Sequence, residues 1–238
     1  MARQAPATDN APMAGPETCA ANAVVVVGGS AGALDALRTI LSTLSSGLEA
    51  AVLVALHTTP ERIGQMADVL QRATALHVAY PIGVEPLRNG CVYVAPPGRH
   101  LQVTGHCAET TRDALEHHTR PAVDVLFRSA ARDFGGQVVA VLLSGSGGDG
   151  SAGLMAVQAR GGVVIVQAPD DAEFDSMPRR ALAALAADYV LPASLIGGEV
   201  QRILATAASS GAARSRDAEM LRLEPAGSSP LEQSTIRP

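Results

Sequence analysis

Four short apolar runs punctuate the chain: AVVVVGG at 23–29, AAVLVAL at 50–56, VVAVLLSG at 138–145 and VVIVQA at 163–168. Each is rich in β-branched residues and too short for a helix, the pattern of a strand buried on both faces. Between them the period changes to that of a helix. In ALDALRTILSTL (33–44), Leu34, Leu37, Leu41 and Leu44 share one face. Further helices are predicted over 63–73, over 123–134 before Gly135-Gly136, over 152–160 before Gly161-Gly162, over 179–187 just after Pro178, and over 198–207. The runs CVYVAP (91–96) and HLQVTG (100–105) flank the turn PPGR and read as a pair of strands.

Alternating strands and helices predict an α/β fold: a doubly wound, mainly parallel sheet with helices on both faces, plus a small β-hairpin. Residues 1–22 lack periodicity and read as a disordered lead. The domain is expected over 23–207, and residues 208–238 read as a flexible tail with one short helix around Asp217–Leu223. At 238 residues with 47% hydrophobic content, the chain is long enough for one sizeable core.

Composition narrows the function classes. The net charge is −5 and aromatics are 3% of residues, with no basic patch interleaved with aromatics, so nucleic acid is not an expected partner. No apolar run approaches the roughly 20 residues that span a bilayer, and the N-terminus lacks a signal-peptide core. The three cysteines, Cys19, Cys91 and Cys107, have neither disulfide nor zinc-site spacing. A cytoplasmic protein without metal or cofactor is expected.

Three polar residues stand at the ends of three predicted strands. Ser30 follows the first strand and opens a helix after Gly28-Gly29, where a serine projects from a sharp turn beside free helix N–H groups. His57 follows the second strand, where an imidazole can accept a proton. Asp149 follows the third, in the glycine-rich SGSGGDG, where a carboxylate can orient that imidazole. Each also has a structural reading: Ser30 as an N-cap, His57 as a solvated strand end, Asp149 as the cap of the next helix. Carboxyl ends of parallel strands converge on one surface, which favours a Ser–His–Asp triad over three separate coincidences.

The stretch from about Val24 to Leu191 resembles the catalytic domain of CheB, the bacterial chemotaxis protein-glutamate methylesterase family. The likeness rests on GGSAGALDAL, LHTTPE, VYVAPPGRHLQV, RPAVDVLFRSAA, LLSGSGGDGSAGLMAVQARGG and SMPRRAL, in family order and spacing. It implies that Ser30 is the nucleophile, His57 the general base and acid, and Asp149 its orienting partner. The implied reaction hydrolyses glutamate methyl esters on methyl-accepting chemoreceptor cytoplasmic helices, releasing methanol, with deamidation of receptor glutamines as a second activity. The sequence departs from the family at Ala31 and Ala33, where Thr and Gly are common, at Leu56, where Gln is common, and at Ser146, where Met is common. About 22 residues precede the first strand, too few for the family's receiver domain, so control by phosphorylation in cis is not expected.

Two other function classes fit parts of the pattern. The loops GGSAG and SGSGGDG suit a nucleotide or anion, although no Walker lysine follows them. A catalytically silent signalling adaptor would also keep the fold. Among the remaining polar residues, His100 is expected to be structural, and His117 and His118 to lie in a solvated loop. Met177-Pro178 is expected to shape the site rim, and Arg99 and Arg120 are candidates for drawing in an acidic substrate.

Overall fold

A computed structural model describes residues 21–57 and 66–223, the last 14 of these as backbone only. The chain divides into two compact units, Met1–Leu204 and Ala205–Pro238. The first holds a seven-stranded sheet in the order β10-β9-β8-β1-β2-β5-β3. Its strands are β1 (Val24–Gly29), β2 (Ala51–Leu56), β3 (His77–Ala79), β5 (Cys91–Val94), β8 (Val138–Leu142), β9 (Val163–Gln167) and β10 (Tyr189–Leu191), and every neighbouring pair is parallel. A second sheet, antiparallel, contains β4 (Val84–Pro86), β7 (Cys107–Thr111) and β6 (His100–Thr104) in that order.

The pleat sorts the core into two layers. Val24, Val26, Ala51, Leu53 and Ala55 face α3 (Val123–Phe134), α4 (Ser151–Ala159) and α5 (Ser176–Ala184). Val25, Val27, Val52, Val54 and Leu56 face α1 (Ala33–Thr43), α2 (Met66–Gln71) and the start of α6 (Ala193–Leu223). Successive side chains of a strand point to opposite faces, so a run of β-branched residues supplies both layers at once. The expected doubly wound sheet with helices on both faces is therefore present.

Several expectations need correction. The strands flanking PPGR do not pair with each other. Cys91–Val94 inserts between β2 and β3 in the parallel sheet, and the hairpin partner of His100–Thr104 is Cys107–Thr111, across the turn at Gly105-His106. Two β-rich runs separated by a turn look alike in sequence whether the turn closes a hairpin or carries the chain from one sheet to another. The three-residue strands β3, β4 and β10 were not anticipated. The helix predicted over 63–73 is described only from Met66. The last helix begins earlier and runs further than expected, from Ala193 to Leu223, through residues read as tail. Ala, Arg, Glu, Met and Leu dominate that stretch and are strong helix formers. The disordered lead falls almost wholly outside the described residues, although Ala21 is buried and its N–H donates to Leu87 O at 2.9 Å.

Gly28 has a packing role rather than the turn-loosening role the sequence suggested. A Cβ on Gly28 would lie 2.1 Å from Val123 Cγ1, because the start of α3 rests directly on β1. Replacing Gly28 by Ala is expected to lower the unfolding free energy by about 1–3 kcal/mol, the usual range for overpacking a core. Urea denaturation measures this, and an unchanged midpoint would contradict the close approach.

Candidate active site

Hydrogen-bond register brings Ser30 and His57 together. Gly29 pairs with Leu56 in the β1–β2 ladder, and His57 N–H donates to Gly29 O at 3.1 Å. Ser30 and His57 are thus the next rung, with neighbouring parallel strands about 4.8 Å apart. Alternation continued by one residue turns both toward the α3 layer. Ser30 N–H donates to Ser144 O, which ties the end of β1 to the end of β8. A Cβ on Gly145 would stand 2.8 Å from Ser30 Cβ and 2.9 Å from Met177 Sδ, so only glycine fits beside the serine.

The structural readings of Ser30 and Asp149 both fail. The N-cap of α1 is Gly32, at φ 73°, and no side chain caps that helix. The N-cap of α4 is Gly150, at φ 98°, again without a side-chain bond. Asp149 caps a different helix. Its Oδ2 accepts the Val123 N–H at 2.7 Å and its Oδ1 the Asp124 N–H at 2.8 Å, both in the first turn of α3. Its Oδ2 also lies 2.8 Å from His57 Nε2. Two elements distant in sequence thus share one buried carboxylate.

Asp124 reciprocates. Its Oδ1 accepts the N–H of Gly153 in the first turn of α4, at 2.6 Å, and its Oδ2 lies 2.8 Å from His117 Nε2. Helices α3 and α4 therefore cap each other through Asp149 and Asp124. The two carboxyls titrate in opposite directions. Burial pushes Asp149 up, but the bonds from His57 and from the Asp124 and Val123 N–H groups outweigh it and hold the carboxyl below its usual value. At Asp124 burial prevails over the Gly153 N–H and His117, and the carboxyl is raised. The Asp149 charge adds to the rise at Asp124.

The segment 112–122 forms a wall beside His57. His100 holds both its ends: Nδ1 accepts the Ala122 N–H at 3.2 Å and Nε2 faces Ala114 O at 3.0 Å. This is the structural role expected for His100. Arg120 Nη1 donates to Arg112 O and Asp113 O, so this guanidinium braces its own loop. Within the loop, Glu116 and Thr119 exchange backbone hydrogen bonds around His117 and His118, which have φ 51° and 62°. Two consecutive left-handed residues make a type I′ turn, normally the province of Asn and Gly. Thr119 Oγ1 lies 3.4 Å from His57 Nε2. His57, Leu115, His118, Thr119 and Pro121 line an open cleft of about 330 Å³.

His117 and His118 are exposed in a loop, as expected, and that loop is a tight turn in which His117 is bonded to Asp124. The sequence carried no mark of the turn, because neither Gly nor Asn occupies it. Met177, expected at the rim, is fully buried against Gly145. Glu116, His117 and Asp124 bring three donor groups close together, but each already has a protein partner. Glu116 pairs with Arg128 through two bonds of 2.6 and 2.7 Å, which lower its carboxyl pKa. The group is an ion-pair network that pins the turn to α3. Cys91 and Cys107 are free thiols, and Cys19 lies outside the described residues. Among the described residues no helix is long and apolar enough to cross a membrane.

The stability contributed by Asp149 has a definite pH window. A carboxyl depressed in the folded state stabilises above its unfolded value, about 3.9, and loses that stabilisation as pH falls through the lower folded value. Asp149→Asn is expected to lower the unfolding free energy by about 1–3 kcal/mol at pH 7, through lost charge-assisted caps. The gap between parent and variant should close on acidification below pH ~4. Denaturant titrations at several pH values test this, and a gap that widens in acid would contradict it.

Comparison with known proteins agrees with this architecture. The family model described as CheB methylesterase matches residues 25–200. A protein-glutamate methylesterase/protein-glutamine glutaminase from Nocardioides sp. is 38% identical over 186 residues, covering 76% of this chain and 50% of that protein. A Leptospira interrogans protein with the same two activities in its name is 32% identical over 168 residues, 70% of this chain and 87% of its own length. The crystal structure of the Thermotoga maritima CheB methylesterase catalytic domain superposes with a TM-score of 0.73 at 29% identity, covering 76% of this chain and 98% of that domain. With the model matching about three-quarters of its length, the chain belongs to the CheB methylesterase family.

Proposed function

We propose that the protein is a serine hydrolase of the cytoplasm that removes methyl groups from glutamate methyl esters on chemoreceptor helices, with Ser30, His57 and Asp149 as its catalytic triad. The observation that carries this reading is the part-buried 2.8 Å contact between His57 Nε2 and Asp149 Oδ2, one rung from a serine that caps nothing. In this mechanism Asp149 holds the proton on Nε2, which leaves Nδ1 to act as the base toward Ser30.

The reaction runs in two halves. Ser30 Oγ attacks the side-chain carbonyl carbon of the ester while His57 takes its proton. The tetrahedral intermediate collapses, the methoxy group leaves with the proton from His57 as methanol, and a glutamyl ester of Ser30 remains. Water then attacks that ester, giving its proton to His57. The Ser30–acyl bond breaks, Ser30 recovers the proton, and a free glutamate departs. The same steps release ammonia from a glutamine. The N–H groups of Ala31 and Gly32 adjoin the nucleophile and have no hydrogen-bond partner among the described residues, which suits them to the developing oxyanion. Positive charge on His57 builds beside Asp149, whose carboxyl is held ionised.

A nucleotide phosphate at the same helix start is disfavoured, because no Walker lysine follows either glycine loop to meet its charge. The exposed Leu115 and Phe174 offer apolar contact beside the site, as a receptor helix requires better than a nucleotide does.

Methanol release from a methylated chemoreceptor fragment tests this function. Ser30→Ala is expected to cut the rate by roughly 10⁴-fold or more. The same variant should leave the unfolding free energy within about 0.5 kcal/mol of the parent. Turnover undiminished by the loss of that hydroxyl would sink the mechanism.

A further inference from the structure

We propose that His117 is a positioning residue for the triad: as a cation on the far oxygen of Asp149, it opposes the charge His57 gains and so keeps His57 available as a base in weakly acidic conditions. This rests on the triad reading above and adds a second imidazole to it.

Geometry makes the argument. His117 Nε2 lies 2.8 Å from Asp124 Oδ2 and 3.9 Å from Asp149 Oδ1, while His57 Nε2 lies 2.8 Å from Asp149 Oδ2. The two imidazoles thus approach opposite oxygens of one buried carboxylate. Carboxylates surround His117: Asp124 on α3, Asp149 on the loop before α4, and Glu116 at 4.0 Å on its own turn. The facing groups able to carry positive charge are Arg128, engaged by Glu116, and His57 beyond Asp149. Its hydrogen bond to Asp124, together with Asp149 and Glu116, raises the His117 pKa against the opposing effect of burial. The carboxylates around it therefore favour the cationic form of His117.

The backbone gives independent support. His117 and His118 hold left-handed conformations at 51° and 62°, which an L side chain adopts at a cost. The reciprocal bonds of Glu116 and Thr119 and the Glu116–Arg128 pair enforce them. The strain places one imidazole on the Asp124–Asp149 pair and the other in the cleft wall. A Gly or Asn turn would be relaxed and would place neither.

Like charges that share a neighbourhood each disfavour the other. Loss of the His117 cation makes His57 easier to protonate, so the acid limb of activity moves toward neutral pH. The test measures kcat/KM for methanol release from pH 5 to 9 with the full chain. His117→Asn suits the left-handed backbone and is neutral throughout. Its acid limb should lie about 0.5 pH unit or more above the parent's, allowing for solvent screening of a half-exposed group. The two profiles should converge once His117 has lost its own proton in the parent. His117→Arg restores a permanent charge and should return the limb toward the parent position. A limb unmoved in the Asn variant overturns the proposal, and so does an equal shift in both variants. Ser30→Ala assayed alongside keeps the two questions apart. Turnover surviving that change defeats the triad itself, whereas a triad-dependent enzyme with an unmoved limb defeats only the role of His117.

Discussion

One buried carboxylate organises this molecule. Asp149 accepts two N–H groups from the first turn of α3 and faces the imidazole at the end of β2. Removing a carboxylate from water costs several kcal/mol, and only ionic or hydrogen-bonded partners offset it. His57 and two backbone N–H groups hold the Asp149 carboxyl below its usual value, whereas burial and the nearby Asp149 charge raise that of Asp124. Both carboxylates are aimed at helix starts, Asp149 at that of α3 and Asp124 at that of α4, where unsatisfied N–H groups favour negative charge. In the proposed mechanism stability and chemistry thereby depend on the same oxygens, since a group that held α3 less well would also leave His57 less well oriented.

The arrangement also explains why the site tolerates so little bulk. Helix α3 can bring its first turn to Asp149 only because Gly28 lets Val123 lie against β1. Ser30 can stand at the head of α1 only because Gly145 offers no side chain. In exchange, Asp124 caps α4 and turns the junction of the two helices into a closed set of hydrogen bonds. The wall beside His57 is held separately, by His100 at its ends and by Glu116–Arg128 at its tip. Two supports, one through the first turn of α3 and one through the strained turn, converge on His57.

Much of the frame was legible in the residues. Val24–Val27, Val52–Val54 and Val138–Val141 lie in buried parallel strands because continuous β-branched runs have little else to do. Ser30, His57 and Asp149 were visible because parallel strand ends share a surface. What remained hidden depended on tertiary partners. Asp124 in the first turn of a helix reads as an ordinary favourable charge, and nothing in VDVLF says that its side chain reaches another helix. The turn at His117-His118 lacked the glycine that announces its type. Cys91–Val94 resembled half of a hairpin because its four residues carry no sign of which sheet they join, and β3, β4 and β10 are too short to display a period.

The account stands on the Nε2 proton of His57 being committed to Asp149. Imidazole ¹⁵N NMR of the resting protein near neutral pH reads that tautomer directly. Protonation at Nε2 with a bare Nδ1, and loss of that preference in Asp149→Asn, is the expected pattern. A resting His57 carrying its proton on Nδ1 would leave the carboxylate without its imidazole donor and the serine without its base, and would contradict the central claim.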